Sequence, residues 1–228
     1  MQRQFDLHVH SWYSYDATVS PERVFGAAEA AGVTAVAIAD HHNMDGFEAF
    51  AAAAREYPAV RWVPAMEASV GTDFGGFDVV ALGVPPDAPR RLAEVVDEFR
   101  RWMRTFNRRL LVGFEALGVP FAREQAQEML SGWRPGPAKA IQGEVRLPNV
   151  GLKAWLIERG VIAGEDAFSP LIQKAFERAD GRPPLPRAED VLPRFQAVGA
   201  ALILAHPGGF LARHGPDELD ALIRQTGV

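Results

Sequence analysis

The short apolar runs of this chain end in histidine or carboxylate residues. These residues are His8 and His10, Asp40 and His41, Glu67, and His206. Imidazole nitrogens and carboxylate oxygens suit zinc, manganese or iron, and a carboxylate such as Glu67 can bridge two ions. The sequence has no cysteine, which excludes thiolate metal sites, disulfides and cysteine nucleophiles. Any metal ion must therefore be held by histidine, aspartate and glutamate.

The spacing of His8 and His10 favours a shared cation. Side chains alternate along a strand, so both imidazoles lie on one face and can reach a single ion. An isolated His-x-His pair is more often two surface or hydrogen-bonded histidines. The further residues at the ends of later runs make that alternative less attractive. His42 points in a different direction from His41 and is a weaker ligand candidate, whereas Asp40 could orient an imidazole.

The apolar runs have the pattern of strands that alternate with helices. Strands are predicted over residues 5–9, 33–39, 60–65, 77–83 and 200–205. A helix begins at Ser20-Pro21, which supplies an N-cap residue and a proline at the first helical position, and another covers residues 46–56. This alternation is typical of an α/β barrel or a doubly wound sheet. In a barrel, side chains at the carboxyl ends of the strands converge on one site.

The middle of the chain is predominantly helical. Helices are predicted over residues 89–117, 149–158 and 170–179, and a last helix over 216–225. We therefore predict a barrel of residues 1–84 and 196–228 with a helical insertion over residues 85–195. The insertion has 18 Lys and Arg against 15 Asp and Glu, while the remainder has 6 against 14. The basic segment could receive an anionic substrate, or it could be an ordinary solvated helix face.

The composition indicates a globular chain outside the membrane. Apolar residues make up 48% and charged residues 23% of the sequence, and no run of about 18 apolar residues predicts a membrane span. The opening residues MQRQFDLHVH lack the apolar stretch and cleavage site of a secretory signal. We therefore expect a cytoplasmic location, with which the absence of cysteine is compatible.

Three stretches, in this order, resemble the PHP (polymerase and histidinol phosphatase) superfamily. They are DLHVHSWYSYDATVSPERVFGAAEAAGVTAVAIADHHNMDG from Asp6 to Gly46, VPAMEAS around Glu67, and LAHPGG around His206. The resemblance implies a distorted seven-stranded (β/α)7 barrel that holds two or three divalent ions, which would be manganese, zinc or iron. By matching position, the implied ligand sets are His8, His10 and Glu67 for one ion, Glu67 and His206 for a second, and Asp16 and His41 for a third.

The resemblance also implies an activity, the metal-dependent hydrolysis of a phosphomonoester, with Asp40 or His206 handling protons. The helical insertion resembles that of enzymes which release the 5'-phosphate of nucleoside 3',5'-bisphosphates and trim short RNA. An arginine in that insertion meets the phosphate, and Arg146 is the matching residue. The expected partner is a small phosphorylated substrate, either a nucleotide or a short RNA. Two alternatives stay open, a non-catalytic module that binds a nucleotide, phosphate or partner protein, and a histidinol-phosphate phosphatase.

Three features depart from the family pattern. Asp78 stands where members commonly have histidine; an aspartate can still ligate a cation but favours harder ions. Asn149 stands where bisphosphate-specific relatives have a histidine. The sequence ends at Val228, before the family's late Gly-Ser-Asp-x-His segment, so we expect a C-terminally incomplete barrel. Either this chain is a shortened form of a longer protein, or it is a natural variant with an open barrel. An open sheet edge exposes unpaired backbone groups, so in the second case we expect a homo-oligomer formed through that edge.

Overall fold

A computed structural model describes residues 4–133 and 146–228 of the chain. Residues 134–145, which belong to the predicted insertion, lie outside the described residues. The chain forms two compact units, one of residues up to 99 together with 185–228, and one of residues 100–184. The second unit is narrower than the predicted segment 85–195, because its first boundary falls inside a long helix after Phe99.

The first unit is built on a five-stranded sheet in which the strands lie in sequence order. The strands are β1 (Gln4–Val9), β2 (Val33–Ile38), β3 (Arg61–Thr72), β4 (Gly75–Leu82) and β5 (Ala201–Leu204). The first three are parallel, whereas β3 with β4 and β4 with β5 pair antiparallel. The sheet curls into a half-barrel, which confirms the predicted α/β class and the incomplete barrel.

Nine α-helices are found in the part of the chain that the structure describes. They are α1 (Pro21–Ala30), α2 (Phe47–Glu56), α3 (Ala88–Arg91), α4 (Ala93–Ala116), α5 (Arg123–Trp133), α6 (Asn149–Glu158), α7 (Phe168–Glu177), α8 (Ala188–Ala197) and α9 (Pro207–Thr226). Helix α1 begins as the sequence predicts, because the Ser20 hydroxyl accepts a hydrogen bond from the Arg23 amide at 3.3 Å. The predicted last helix is the second half of α9, which is kinked at Gly215.

The largest departure from the predicted strands is a long hairpin. Strand β3 continues to Thr72 and pairs with β4 down to Gly75, although the sequence predicts two short separate strands. As a result Glu67 lies within β3, opposite Val80, rather than at the end of a strand. A buried acidic residue interrupts the apolar run here, and this is why the sequence pattern ends the strand too early.

The core of the first unit adjoins the predicted ligands along the chain. Small apolar side chains form one buried cluster, and among them Ala39 directly precedes Asp40, and Ala205 directly precedes His206. In the second unit, aromatic rings pack between helices; the rings of Phe106 and Phe176 lie 4.8 Å apart. Among the described residues, no helix combines the length and the apolar character that a membrane span needs.

Candidate metal centre

Three histidines surround the carboxylate of Glu67 in the first unit. The Glu67 side chain is completely buried, and its Oε2 atom lies 3.0 Å from His8 Nε2. The same oxygen lies 3.3 Å from His10 Nε2 and 3.1 Å from His41 Nε2. These histidines come from the end of β1 and from the loop after β2, so residues far apart in the sequence meet at one oxygen atom.

The potential ligand atoms form two groups that share Glu67. One group contains His8, Glu67 and His206, and the other contains His10, His41 and Glu67; within each group the ligand atoms lie within 4.8 Å of one another. His206 is the outermost member, with a 64% exposed side chain and its Nδ1 atom 3.9 Å from Glu67 Oε1. The structure therefore groups His8 with His206 and His10 with His41, which differs from the ligand sets that the family resemblance implies.

The buried polar atoms of this cluster fit a cation. Within the described residues, both carboxylate oxygens of Glu67 and one ring nitrogen each of His8, His10 and His41 are buried without a hydrogen-bond partner. Of these atoms, His8 Nε2 and Glu67 Oε2 lie 3.0 Å apart, but their geometry does not make a hydrogen bond. Buried polar groups are costly unless they are satisfied. Nitrogen and oxygen atoms that gather in this way are suitable ligands for a divalent metal ion.

Asp16 lies at the edge of the cluster, next to His41. One carboxylate oxygen is 3.3 Å from His41 Nε2, and the other is 4.0 Å from His10 Nδ1. The Ser14 hydroxyl donates a hydrogen bond to Asp16 at 2.5 Å and accepts one from the His41 amide at 3.2 Å. Ser14 therefore orients two of the predicted ligands, a role for which the sequence carries no signal beyond its position after His10.

The charges of the cluster shift the pKa values of its members. Burial raises the pKa of the Glu67 carboxyl, but the imidazoles of His8, His41 and His10 outweigh burial and lower it below its ordinary value. Burial opposes the charged form of His41, yet Asp16 and Glu67 together raise the pKa of its imidazole. Burial lowers the pKa of His10. Glu67 is thus ionised, as a metal-binding carboxylate must be.

Asp40 lies next to the cluster but uses its carboxylate differently. Both oxygens accept hydrogen bonds from Ser11, one from the backbone amide and one from the hydroxyl, each at 2.6 Å. Asp40 is 2% exposed and Ser11 is completely buried. Asp40 therefore fixes the chain directly after His10, whereas the sequence analysis suggested that it orients an imidazole. Its predicted part in proton transfer stays a prediction.

We expect Asp40→Asn to destabilise the protein by about 2 kcal/mol, because the amide replaces a buried carboxylate that accepts two short hydrogen bonds. The melting temperature measured by circular dichroism would show this loss. Asp217→Asn, at an exposed aspartate, is the control and should leave the melting temperature unchanged. A large loss of kcat with an unchanged melting temperature would instead assign Asp40 a role in proton transfer.

Two other predicted site residues lie apart from the two groups. Asp78 is on β4 opposite Ser69 and acts on the site through its charge, which contributes to the raised pKa of His41. Arg146 belongs to the second unit, where its guanidinium lies 4.2 Å from the centre of the Phe106 ring and donates a hydrogen bond to Asn149 at 3.1 Å. The structure does not bring Asp78 into either ligand group among the described residues.

Arg182, which the sequence analysis did not single out, lies beside Arg146. Both guanidinium groups are close to the Phe106 ring, and both line a cavity of about 540 Å³ in the second unit. Burial and the neighbouring charge of Arg146 lower the pKa of Arg182. Two cations in one cavity repel each other, and an anion bound between them would relieve that repulsion.

The buried cluster can hold a divalent metal ion, and the matches to known proteins indicate a hydrolytic enzyme. Residues 6–116 match the family model of the PHP domain. These residues therefore carry a PHP domain, as the sequence stretches around His8 and Glu67 indicate.

Two characterised proteins are similar in sequence. A 5'-3' exoribonuclease of Haemophilus influenzae is 24% identical over 213 residues, which cover 91% of this chain and 70% of that protein. An error-prone DNA polymerase of Nocardia farcinica is 29% identical over 233 residues, which cover 89% of this chain and only 19% of the polymerase.

Two solved structures share the fold. One is described as a metal-dependent phosphoesterase of Bifidobacterium adolescentis; it has 20% identity and a TM-score of 0.69, and the match covers 91% of this chain and 68% of that one. The other is an amidohydrolase of Chromobacterium violaceum with bound sulfate, at 24% identity and a TM-score of 0.63, covering 90% and 67% of the two chains. At these identities the likeness concerns the fold.

Proposed function

We propose that this protein hydrolyses a phosphomonoester with two divalent transition metal ions, manganese, zinc or iron. The observation that carries the proposal is the buried Glu67 carboxylate, which lies within 3.3 Å of three imidazole nitrogens. His8 and His206 would hold one ion and His10 and His41 the other, with Glu67 between them. Bound ions of this kind stabilise negative charge on the phosphoryl oxygens as the ester bond breaks.

Asp16, Asp40 and His206 have different proposed roles around the metal ions. Asp16 orients the His41 ring from 3.3 Å and keeps its own charge, since the nearby imidazoles lower its pKa despite burial. Of the two predicted proton carriers, His206 has the exposed side chain, whereas both oxygens of Asp40 are engaged by Ser11. We therefore assign positioning to Asp40, and His206 is assigned to the metal centre as its exposed member.

We propose a nucleoside bisphosphate or a short RNA as the substrate. The similarity to a 5'-3' exoribonuclease supports a substrate with a nucleotide phosphate. The paired guanidinium groups of Arg146 and Arg182 support an anionic substrate, because arginine binds phosphate through two parallel hydrogen bonds. Arg146 is the proposed phosphate-binding residue.

Phosphate release by the purified protein tests the proposal. Metal-stripped protein is reloaded with manganese, zinc or iron and supplied with nucleoside 3',5'-bisphosphates, short 5'-phosphorylated RNA and histidinol phosphate. We expect release from the first two substrates only, and none from metal-stripped protein. Preferred turnover of histidinol phosphate would contradict the substrate assignment. A metal-loaded protein that releases phosphate from no phosphomonoester would contradict the activity itself.

Replacing Arg146 with alanine is expected to raise KM for the bisphosphate about tenfold with little change in kcat, since the lost contact contributes about 1.5 kcal/mol to substrate binding. Steady-state kinetics gives both constants. Arg159→Ala is the matched control, because Arg159 also lies over an aromatic ring, at 5.0 Å from the centre of Trp155. An equal effect of both substitutions would remove Arg146 from the substrate site.

A further inference from the structure

Strand β3 extends well beyond the end of its parallel neighbour β2. The last paired residues of these two strands are Ile38 and Pro64, while β4 continues along the other side of β3 as far as Thr72. The backbone groups of β3 that face the β2 side therefore need partners from another segment. That segment is the loop after β2, which carries Asp40, His41 and His42.

The loop first continues the parallel ladder with its backbone. The Glu67 amide donates a hydrogen bond to the Asp40 carbonyl at 3.2 Å, and the His42 amide donates one to the Glu67 carbonyl at 2.8 Å. These two bonds make a bridge between His41 and Glu67. Glu67 is thus held by its own amide and by its own carbonyl on this side of the strand.

The next step of the ladder is made by a side chain. In a regular parallel ladder, the amide of Ser69 would donate to the carbonyl of His42. Here that amide donates to the imidazole Nε2 of His42 at 3.2 Å. His42 has a φ of 62°, a left-handed conformation that turns the chain away from β3. The imidazole therefore takes the place of a strand carbonyl.

The position of the His42 ring is well determined. His42 is completely buried, and its ring stacks on the ring of Phe99, with the two ring centres 4.7 Å apart and an interplanar angle of 10°. A left-handed conformation at a residue other than glycine persists only where the surrounding structure requires it, and such residues gather at functional sites. A glycine could make the turn without strain, but it could not accept the hydrogen bond from Ser69.

We propose that His42 is a positioning residue of the metal centre. Its amide and its ring hold the β3 segment from Glu67 to Ser69, and this fixes the direction of the Glu67 carboxylate towards His8, His10 and His41. His42 itself belongs to neither ligand group within the described residues. The inference rests on the proposed metal centre and adds a residue that acts through Glu67.

Cobalt binding to the full chain tests this role, because Co²⁺ has a visible absorption spectrum that reports its ligand geometry. His42→Asn keeps the left-handed conformation accessible but withdraws the acceptor from Ser69. We expect it to weaken Co²⁺ binding about tenfold and to change the spectrum, as loss of a residue that orients metal ligands does. His42→Gln places an amide oxygen near the position of Nε2, and we expect Co²⁺ affinity within about threefold of wild type.

His214→Asn is the matched control, since His214 forms a separate pair with Glu218 at 2.8 Å, and its Co²⁺ affinity should equal that of wild type. Wild-type protein that binds no Co²⁺ would overturn both the metal centre and this inference. Wild-type affinity and spectrum in His42→Asn would overturn the positioning role alone. Should His42→Asn not fold, His42→Gln decides: native affinity supports the role, and a tenfold loss overturns it.

Discussion

Replacing Glu67 with glutamine is expected to lower kcat/KM for phosphomonoester hydrolysis by about 10³-fold, which corresponds to about 4 kcal/mol of lost transition-state stabilisation. Glutamine has the shape of glutamate but no charge. The carboxylate oxygen that lies within 3.3 Å of three imidazoles would become a neutral amide group. An amide binds transition metals poorly and cannot bridge two ions as a carboxylate does.

Metal binding gives a second measurement that does not depend on turnover. A ligand that binds only the folded state at about 100 times its Kd stabilises a protein by about 2.7 kcal/mol. Wild-type protein should therefore melt at a higher temperature when manganese or zinc is added, and Glu67→Gln should not. Glu56→Gln is the control, because Glu56 is exposed at the end of α2. A metal-dependent rise in the melting temperature of Glu67→Gln equal to that of wild type would remove Glu67 from the metal centre.

The sequence alone predicts which residues of this cluster come together. The apolar runs before His8, His41 and His206 form short strands or lie next to them, and parallel strands bring their carboxyl ends to one place. The sequence analysis places Glu67 at the end of a strand, but in the structure Glu67 lies inside one. It lies within β3 because the antiparallel hairpin with β4 extends the strand, and pairing across a hairpin depends on contacts that a pattern along one segment does not contain.

The residues that orient the ligands are harder to predict. Ser11 and Ser14 look like ordinary loop residues in the sequence, and their hydrogen bonds to Asp40 and Asp16 depend on how the loop after β1 folds back. His42 is a similar case. Its role follows from a left-handed backbone conformation and from the amide of Ser69, 27 residues away. Histidine is one of the residue types enriched in that conformation, but the enrichment does not single out one histidine in a sequence.

The sequence pattern does not predict two of the helices, α5 and α8, and each has a local reason. Helix α8 contains Pro193, and a proline inside a helix removes one backbone hydrogen bond and usually ends the helix. Here the buried side chains Val191, Leu192 and Phe195 keep the helix in place against the sheet. Helix α5 has a largely polar sequence, and its start is marked only by the Gln125 side chain, which accepts a hydrogen bond from the Ala122 amide at 2.9 Å.

At Gly113, helix α4 lies directly against the backbone of α7, and substitution of this glycine tests that packing. A Cβ atom at position 113 would lie 1.9 Å from the carbonyl oxygen of Ala175 and 2.4 Å from its carbonyl carbon. The obstacle is backbone, so no change of side-chain rotamer can relieve it. The two helices would have to move apart, and this would loosen the packing of Phe106 against Phe176.

We expect Gly113→Ala to destabilise the protein by about 3 kcal/mol, the upper end of the usual cost of overpacking a core. Alanine favours the helical state over glycine by about 1 kcal/mol, so the steric cost must exceed the measured loss by that amount. Urea unfolding followed by circular dichroism gives the free energy. Gly164→Ala is the matched control in the same unit, because its Cβ would meet no atom within 4 Å. Equal stability of the two variants would show that α4 and α7 can separate at little cost, and the tight helix contact would then have no role in holding the second unit together.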